Sequence, residues 1–216
     1  DAEALVAPIV APGEPWGYRN KVELAVGTQR GRTMVGMHAA GSSDVVKVPS
    51  CPLLDSKFKG VVKAVQGAMN FLAGSRALGL ERVGIRASRR TKELEVALWG
   101  TPGPFPRPQV AKVLGDATKV TSVVRVMQKG PAKARRIAGV ERLSGKGSWG
   151  ELVGSESMRV SAPSFFQVNT RGADKLVSLV MEGLSPVEDE EAMDLYCGAG
   201  TFTLPLARKS GVVSAV

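Results

Sequence analysis

Three short segments near the start of the chain are rich in apolar side chains. Over residues 19–26 the alternation of apolar and polar residues predicts a half-buried strand. Two further apolar segments, 34–38 and 45–48, each follow a glycine-bearing turn. Connections this short join antiparallel strands, so the three segments together predict a meander.

Helical spacing of apolar residues comes next. It extends from Phe58 to Leu72 and predicts a helix with Asp55 as its N-cap and Gly74 at its end. The elements predicted after this helix are a hairpin of two strands (80–87 and 93–99), a short helix (109–114) and a strand (120–127). Antiparallel strands interrupted by helices are typical of an α+β domain.

The last third of the chain has the pattern of a strand and a helix, followed by a strand–turn–helix–strand unit. The predicted elements are a strand (158–161), a helix (170–184), a strand that ends at Asp194, a helix that ends at Lys209 and a strand (212–216). We therefore expect a central α+β domain over residues 1–185 and the start of an α/β, Rossmann-like domain over residues 186–216. Two strands are too few to bury a core, so we expect the chain to be a fragment of a longer protein.

The strand–turn–helix corner at residues 192–206 carries the most specific chemistry. Gly198 and Gly200 lie in a tight turn between a strand end and a helix start, where backbone N–H groups can approach a nucleotide-like ligand. A nicotinamide-binding turn has a third glycine or alanine at the position of Thr203. The corner therefore disfavours a nicotinamide enzyme and leaves two interpretations open, another nucleotide-like ligand or an ordinary strand–helix connection.

Composition and net charge limit the kinds of molecule that the chain is expected to bind. Its 216 residues are 44% hydrophobic and 23% charged, as in a folded globular protein, and the net charge is +9. Without an amphipathic basic helix, this charge favours a nucleic acid over a membrane. A basic protein that binds no polyanion stays open as the alternative. No run of about 18 apolar residues predicts a membrane span. No signal peptide is recognisable either, so we expect an intracellular protein of the cytoplasm or of an organelle stroma or matrix.

Residues 129–146 form the most basic segment. Its lysines and arginines are accompanied by a single acid, Glu141. Two interpretations stay open at this point: the segment is a solvated loop, or it contacts the phosphates of a nucleic acid.

Four segments, taken in order, carry a family resemblance. They are Pro-Trp-Gly-Tyr-Arg-Asn-Lys at 15–21, Ala-Gly-Ser-Ser-Asp at 40–44 with Cys-Pro-Leu-Leu at 51–54, Phe-Phe-Gln-Val-Asn at 165–169, and Asp-Leu-Tyr-Cys-Gly-Ala-Gly-Thr-Phe-Thr-Leu-Pro-Leu at 194–206. In this order they resemble the RNA uracil-5-methyltransferases, the S-adenosylmethionine-dependent enzymes that make 5-methyluridine in ribosomal and transfer RNA. The ribosomal RNA branch is closer because of the Gly-Ser-Ser-Asp turn and the cysteine after it. The resemblance covers residues 13–216 and is weakest over 102–149.

The resemblance implies a binding site for S-adenosyl-L-methionine. The residues on its cofactor-contacting positions are Gln167, Asp194, Tyr196, Gly198, Gly200 and Thr201. Phe165 matches an aromatic residue beside the target base, where a ring face can stack on an extruded uracil. Ordinary alternatives stay open, in which Phe165 or Phe166 packs in the core and Gln167 satisfies loop backbone groups.

The resemblance also implies a 4Fe–4S cluster in the full-length protein. Cys51 matches the last of four cysteine ligands, and the family places the other three upstream of the segments present here. The alternative is that Cys51 is a small buried hydrophobe before Pro52. Cys197, in the glycine turn, is interpreted as a packed residue and not as a nucleophile.

The family mechanism uses a cysteine thiolate that adds to C6 of uracil, after which C5 takes the methyl group and a general base removes the C5 proton. The family places both groups in the second half of the methyltransferase domain. We therefore expect no catalytic residue in this chain and no turnover by the fragment itself. The implied function is 5-methyluridine formation in RNA, with 23S ribosomal RNA ahead of transfer RNA as substrate. A non-catalytic, basic RNA-binding or assembly protein is the alternative from another class.

Overall fold

A computed structural model describes residues 5–29, 31–74 and 78–216, so residues 1–4 of the predicted first domain lie outside the described part. The elements in chain order are β1 (Lys21–Gln29), β2 (Arg32–His38), β3 (Val45–Val46), α1 (Val61–Ala73), β4 (Leu80–Ala87), β5 (Leu94–Gly100), α2 (Arg107–Ala117), β6 (Ser122–Lys129), β7 (Arg136–Gly145), β8 (Trp149–Val153), β9 (Glu156–Val160), α3 (Thr170–Leu184), β10 (Glu191–Asp194), α4 (Thr203–Ala207) and β11 (Val212–Ala215).

Seven strands form one mixed sheet in the order β3-β2-β1-β4-β5-β6-β7. Neighbouring strands are antiparallel except β5 and β6, which run parallel because the chain returns through α2. The predicted meander and hairpin are confirmed as β1–β2–β3 and β4–β5. At the end of the chain β10 and β11 are parallel and flank α4. The predicted fold class, an α+β domain followed by a Rossmann-like start, is therefore confirmed.

Helices α1 and α2 cover one face of this sheet. The apolar stripe predicted for α1 is buried there, with Val62, Val65, Met69 and Leu72 packed beside Leu114 of α2. The sheet side chains beneath them are Val22, Leu24, Val83, Ile85, Val96 and Leu98. In the described part of the chain, no helix is both long and apolar enough to cross a membrane.

A second, smaller core lies between the β8–β9 hairpin and α3. The rings of Trp149 and Phe166 meet edge to face, with centroids 5.4 Å apart and planes at 78°. Met158 and Ala173 complete the contact between hairpin and helix.

The second face of the large sheet carries a row of polar side chains. The strand register places Lys21, Arg86, Glu95 and Ser122 next to one another on β1, β4, β5 and β6. Arg86 is 4% exposed, and burial lowers the pKa of its guanidinium. A buried arginine needs hydrogen-bond acceptors, which determines what packs on this face.

The acceptors for Arg86 come from the segment that follows β9. Its guanidinium donates to the carbonyl oxygens of Ser161 at 2.8 Å and Ser164 at 2.5 Å. These hydrogen bonds attach the turn immediately before Phe165 to the large sheet, and Ala162 of the same segment packs against Ala97, Trp99, Val124 and Val126.

The predicted capping role of Asp55 is wrong in one respect. Its carboxylate accepts from the Lys57 N–H at 2.9 Å, but this caps a separate 3-10 turn at Ser56–Phe58, and α1 begins at Val61 after Gly60. The same carboxylate is also held by Arg89 through two hydrogen bonds of 2.8 and 2.5 Å. The predicted end of the helix at Gly74 is confirmed.

The interpretation of residues 129–146 as a solvated loop is wrong. β7 occupies most of this segment and pairs antiparallel with β6 at the edge of the sheet. An edge strand with solvated positions needs few apolar residues, so alternation does not reveal it. Even Ile137 and Val140 are 45% and 44% exposed. Contact with phosphates stays a prediction.

Glu95, in the polar row, has a buried carboxyl that makes the stability of the fold depend on pH. It is 1% exposed, and its Oε2 accepts from the Ser122 hydroxyl at 3.1 Å, while Oε1 has no hydrogen-bond partner among the described residues. Burial raises the pKa of the Glu95 carboxyl, and neither the Ser122 hydrogen bond nor the charge of Arg86 fully offsets this. The folded state therefore resists ionisation of Glu95. Its contribution to stability is present at low pH and is lost as pH rises through the raised pKa.

We expect Glu95→Gln to raise the free energy of unfolding at pH 7, because the neutral amide removes the cost of a buried carboxylate. The gain should shrink as pH falls below about 4, because the Glu95 carboxyl is then protonated in the unfolded state as well as in the folded state. Denaturant unfolding at a series of pH values measures this. A gain that does not vary with pH, or a loss of stability at pH 7, contradicts the assignment.

Candidate cofactor-binding site

The glycine turn follows the carboxyl end of β10. Tyr196, Gly198 and Gly200 have φ of +63°, +56° and +80°, so three of five consecutive residues are left-handed. A Cβ atom placed on Gly198 or Gly200 would lie at least 3.8 Å from the nearest atom of a non-adjacent residue. Glycine is therefore needed here for the backbone angle and not for space. Tyr196 adopts this conformation with a side chain, and its ring is 97% exposed.

Internal hydrogen bonds fix the shape of the turn. The N–H of Gly200 donates to the Cys197 carbonyl at 2.8 Å, and the N–H of Cys197 donates to the Val216 carbonyl at 2.9 Å. The N–H groups of Gly198 and Ala199 donate to no group of the described residues. Two neighbouring N–H groups in a turn of this kind can bind a polar ligand.

Asp194 ends β10, and its carboxylate is held in place. The Thr203 hydroxyl at the start of α4 donates to Asp194 Oδ2 at 2.5 Å. Thr203 is the residue that disfavours a nicotinamide-binding turn, and in the structure it connects the strand end to the helix.

The two phenylalanines before Gln167 have different environments. Phe166 is 5% exposed and packs on Trp149, whereas Phe165 is 75% exposed. The core-packing interpretation is therefore right for Phe166 and not for Phe165. Exposure of a large aromatic ring leaves its face open to a planar ligand.

The backbone around Gln167 is held by a residue from the far end of the chain. Asn20 donates from its side-chain amide to the Gln167 carbonyl at 2.8 Å and from its N–H to the Val168 carbonyl at 2.7 Å. Sequence reasoning included Asn20 in a family motif without giving it a role. Nothing in the local pattern reveals a contact across 147 positions.

The structure brings the two predicted segments together. Ala199 of the glycine turn packs against the cluster that contains Phe166 and Trp149. On the same side, Arg208 after α4 makes an ion pair with Glu156 of β9, and this hydrogen-bonded guanidinium holds the pKa of Glu156 below its ordinary value. The glycine turn and the segment of Phe165 and Gln167 therefore border one apolar cluster.

Cys51 lies outside the glycine turn, at a cleft of about 690 Å³ formed by the segments around Trp16, Asp55 and Arg171 and bordered by Asn20 and Thr170. Its side chain is 8% exposed and belongs to the main core, as expected of a small buried hydrophobe. Among the described residues, no group of three or more His, Cys, Asp or Glu side chains could hold a metal ion. These residues by themselves do not fit a four-cysteine cluster.

The comparisons with known proteins point to RNA methyltransferases. The chain is 32% identical over 208 residues to an uncharacterised RNA methyltransferase of Thermosynechococcus vestitus, covering 93% of this chain and 46% of that protein. It is 28% identical over 209 residues to the 23S rRNA (uracil(1939)-C(5))-methyltransferase RlmD of an Enterobacter species, covering 96% and 46%. No family model matches the chain.

Among solved structures, the fold matches the tRNA (uracil-54, C5)-methyltransferase of Pyrococcus abyssi in complex with S-adenosyl-L-homocysteine. The TM-score is 0.71 at 18% identity, over 94% of this chain and 56% of that one. The predicted resemblance to RNA uracil-5-methyltransferases is confirmed by these relatives. The chain spans about half the length of the curated relatives it matches.

We expect Gly200→Ala to lower the free energy of unfolding by roughly 1–2 kcal/mol, because a Cβ is disfavoured at positive φ. Gly183→Ala is the matched control. Gly183 lies in α3, where a built Cβ meets nothing within 4 Å, so alanine should stabilise the protein by about 0.5–1 kcal/mol. Denaturant unfolding of both variants measures the difference. Equal effects would show that the turn is not constrained as described.

Proposed function

We propose that the full protein is an S-adenosyl-L-methionine-dependent methyltransferase that forms 5-methyluridine in RNA, with 23S ribosomal RNA as its preferred substrate. The observation that carries the proposal is the packing of Ala199 against the cluster of Phe166, which brings the glycine turn and the Gln167 segment to one place. The RNA methyltransferase relatives add support, and the rRNA preference follows the ribosomal branch of the resemblance.

The glycine turn is proposed as the cofactor cradle. The N–H groups of Gly198 and Ala199, which have no partner in the described part of the chain, suit a polar ligand that the turn itself does not supply. The other cofactor-contacting residues that we propose are Gln167, Asp194, Tyr196, Gly200 and Thr201. S-adenosyl-L-methionine, when bound, supplies the methyl group.

In this proposal Asp194 fixes the edge of the cradle. Thr203 holds one of its carboxylate oxygens, so the carboxylate direction is set before a ligand arrives. A preset acceptor lowers the entropic cost of ligand binding.

Phe165 is proposed as the contact for the target uracil. An exposed ring beside an ordered cofactor loop provides a face on which a base taken out of its RNA stack can rest. Such stacking is worth roughly 1–3 kcal/mol per base.

We assign no catalytic nucleophile or base to the residues described here. Cys197 is half-buried in the turn, and its N–H holds the end of β11, which fits a structural role. In the chemistry that the resemblance implies, the attacking thiolate and the base that removes the C5 proton come from other parts of the full protein.

The net charge of +9 supports RNA as the partner. The proposed contact surface is the edge of the sheet at β7, where the exposed cations include Lys129, Lys133, Arg136 and Arg142. Both cysteines are free, which agrees with a reducing compartment such as the cytoplasm or an organelle stroma.

The resemblance further supports Cys51 as one ligand of a 4Fe–4S cluster in the full protein. Three more thiolates are needed from outside these residues.

The test is transfer of labelled methyl groups from S-adenosyl-L-methionine to unmodified 23S rRNA and tRNA by the full protein, followed by nucleoside analysis. We expect 5-methyluridine in 23S rRNA. Gln167→Ala should reduce kcat/KM about tenfold through the lost cofactor contact. Lys112→Ala is the control, because Lys112 makes only an exposed ion pair with Asp116 on α2.

Three outcomes are informative against the proposal. Methylation confined to tRNA overturns the rRNA preference. Label in adenine or cytosine overturns the base assignment. Binding of RNA without any binding of S-adenosyl-L-homocysteine favours the non-catalytic RNA-binding protein.

A further inference from the structure

A continuous chain of hydrogen bonds joins the large sheet to the Gln167 segment. The Ser88 hydroxyl donates to Glu151 Oε1 at 2.6 Å, and the Thr170 hydroxyl donates to Glu151 Oε2 at 2.9 Å. The side-chain amide of Asn20 donates both to the Thr170 hydroxyl at 3.0 Å and to the Gln167 carbonyl at 2.8 Å. Four elements therefore meet at this network: the β4–β5 turn, β8, the start of α3 and the residue before β1.

Glu151 is the fixed point of the network. It is 2% exposed, and its Oε1 also accepts from the Leu152 N–H at 2.9 Å. No cation pairs with this carboxylate within the described ranges, so hydroxyl and N–H donors satisfy it. Loss of one donor would leave the buried Glu151 carboxylate without one of its hydrogen bonds, which costs free energy. Movement of any member of the network is therefore disfavoured.

Asn20 connects this network to the backbone of the Gln167 segment. It is 6% exposed, and its own carbonyl accepts from the Ala87 N–H at 2.8 Å, which fixes it to β4. Its N–H and side-chain amide then hold the carbonyls of Val168 and Gln167. The backbone at Gln167 is thus determined by a side chain that lies outside the glycine turn and outside the loop itself.

We infer that Asn20 and Thr170 are positioning residues for cofactor binding, and that they act by fixing the backbone from which the Gln167 side chain extends. The inference rests on the proposed function, since it requires Gln167 to contact the cofactor. Its physical basis is that a polar contact loses most of its value when the backbone bearing it shifts by about an ångström.

The experiment measures the Kd of S-adenosyl-L-homocysteine by calorimetry and the melting temperature, both on the full protein. We expect Asn20→Ala and Thr170→Val each to weaken binding about five- to tenfold. Thr170→Ser keeps the hydroxyl that accepts from Asn20 and donates to Glu151, so it should restore wild-type affinity.

Thr118→Val is the matched control. The Thr118 hydroxyl donates to the Leu114 carbonyl at 2.9 Å at the end of α2, on the other face of the sheet. It should lower the melting temperature without changing Kd. If Asn20→Ala does not fold, the comparison of Thr170→Val with Thr170→Ser decides the question alone.

The outcomes separate this inference from the proposed function. A wild-type protein that does not bind S-adenosyl-L-homocysteine contradicts the proposed function. If the wild type binds and Gln167→Ala weakens binding, unchanged affinity in Asn20→Ala and Thr170→Val overturns the positioning role. Weakened binding in those variants but not in Gln167→Ala also overturns it, because the network would then act by another route.

Discussion

Buried polar groups must find partners, and this requirement helps to join the two larger cores of the structure. Arg86 on the polar face of the large sheet needs acceptors, and the carbonyls of Ser161 and Ser164 provide them. Asn20 and Glu151 make a second polar connection between the same parts. Apolar packing also crosses this junction, where Ala162 joins a cluster with Ala97, Trp99, Val124 and Val126 of the sheet. The hydrogen bonds add a directional constraint on how the β9–α3 connection lies on the sheet.

Local sequence pattern predicts an element well when its apolar residues repeat regularly along it. β4 and α3 have their predicted bounds, because their apolar residues repeat with the period of a strand or a helix. The edge strand β7 lacks this signal, since its exposed face tolerates charged and apolar residues alike. The parallel pairing of β5 and β6 is not visible in either strand alone. It follows from the strand–helix–strand order in which α2 returns the chain.

In the candidate site too, features set by local sequence were predictable and features set by distant contacts were not. The glycine turn was predictable because positive φ restricts the residue type, and Gly198 and Gly200 satisfy that restriction locally. The different burial of Phe165 and Phe166 was not predictable from the sequence, since it depends on which of the two rings packs on Trp149. Asn20 could be assigned no role for a related reason, because its partners are distant in sequence and have no common local pattern.

The glycine turn is attached to neighbouring elements as well as to its own strands. β10 and β11 pair in parallel on either side of α4. The contact of Ala199 with the Phe166 cluster and the ion pair of Arg208 with Glu156 attach the turn to the β8–β9 hairpin and to the segment before α3. The cluster that buries Phe166 while leaving Phe165 exposed thus also sets the direction of the turn, which couples the proposed base contact to the proposed cofactor cradle.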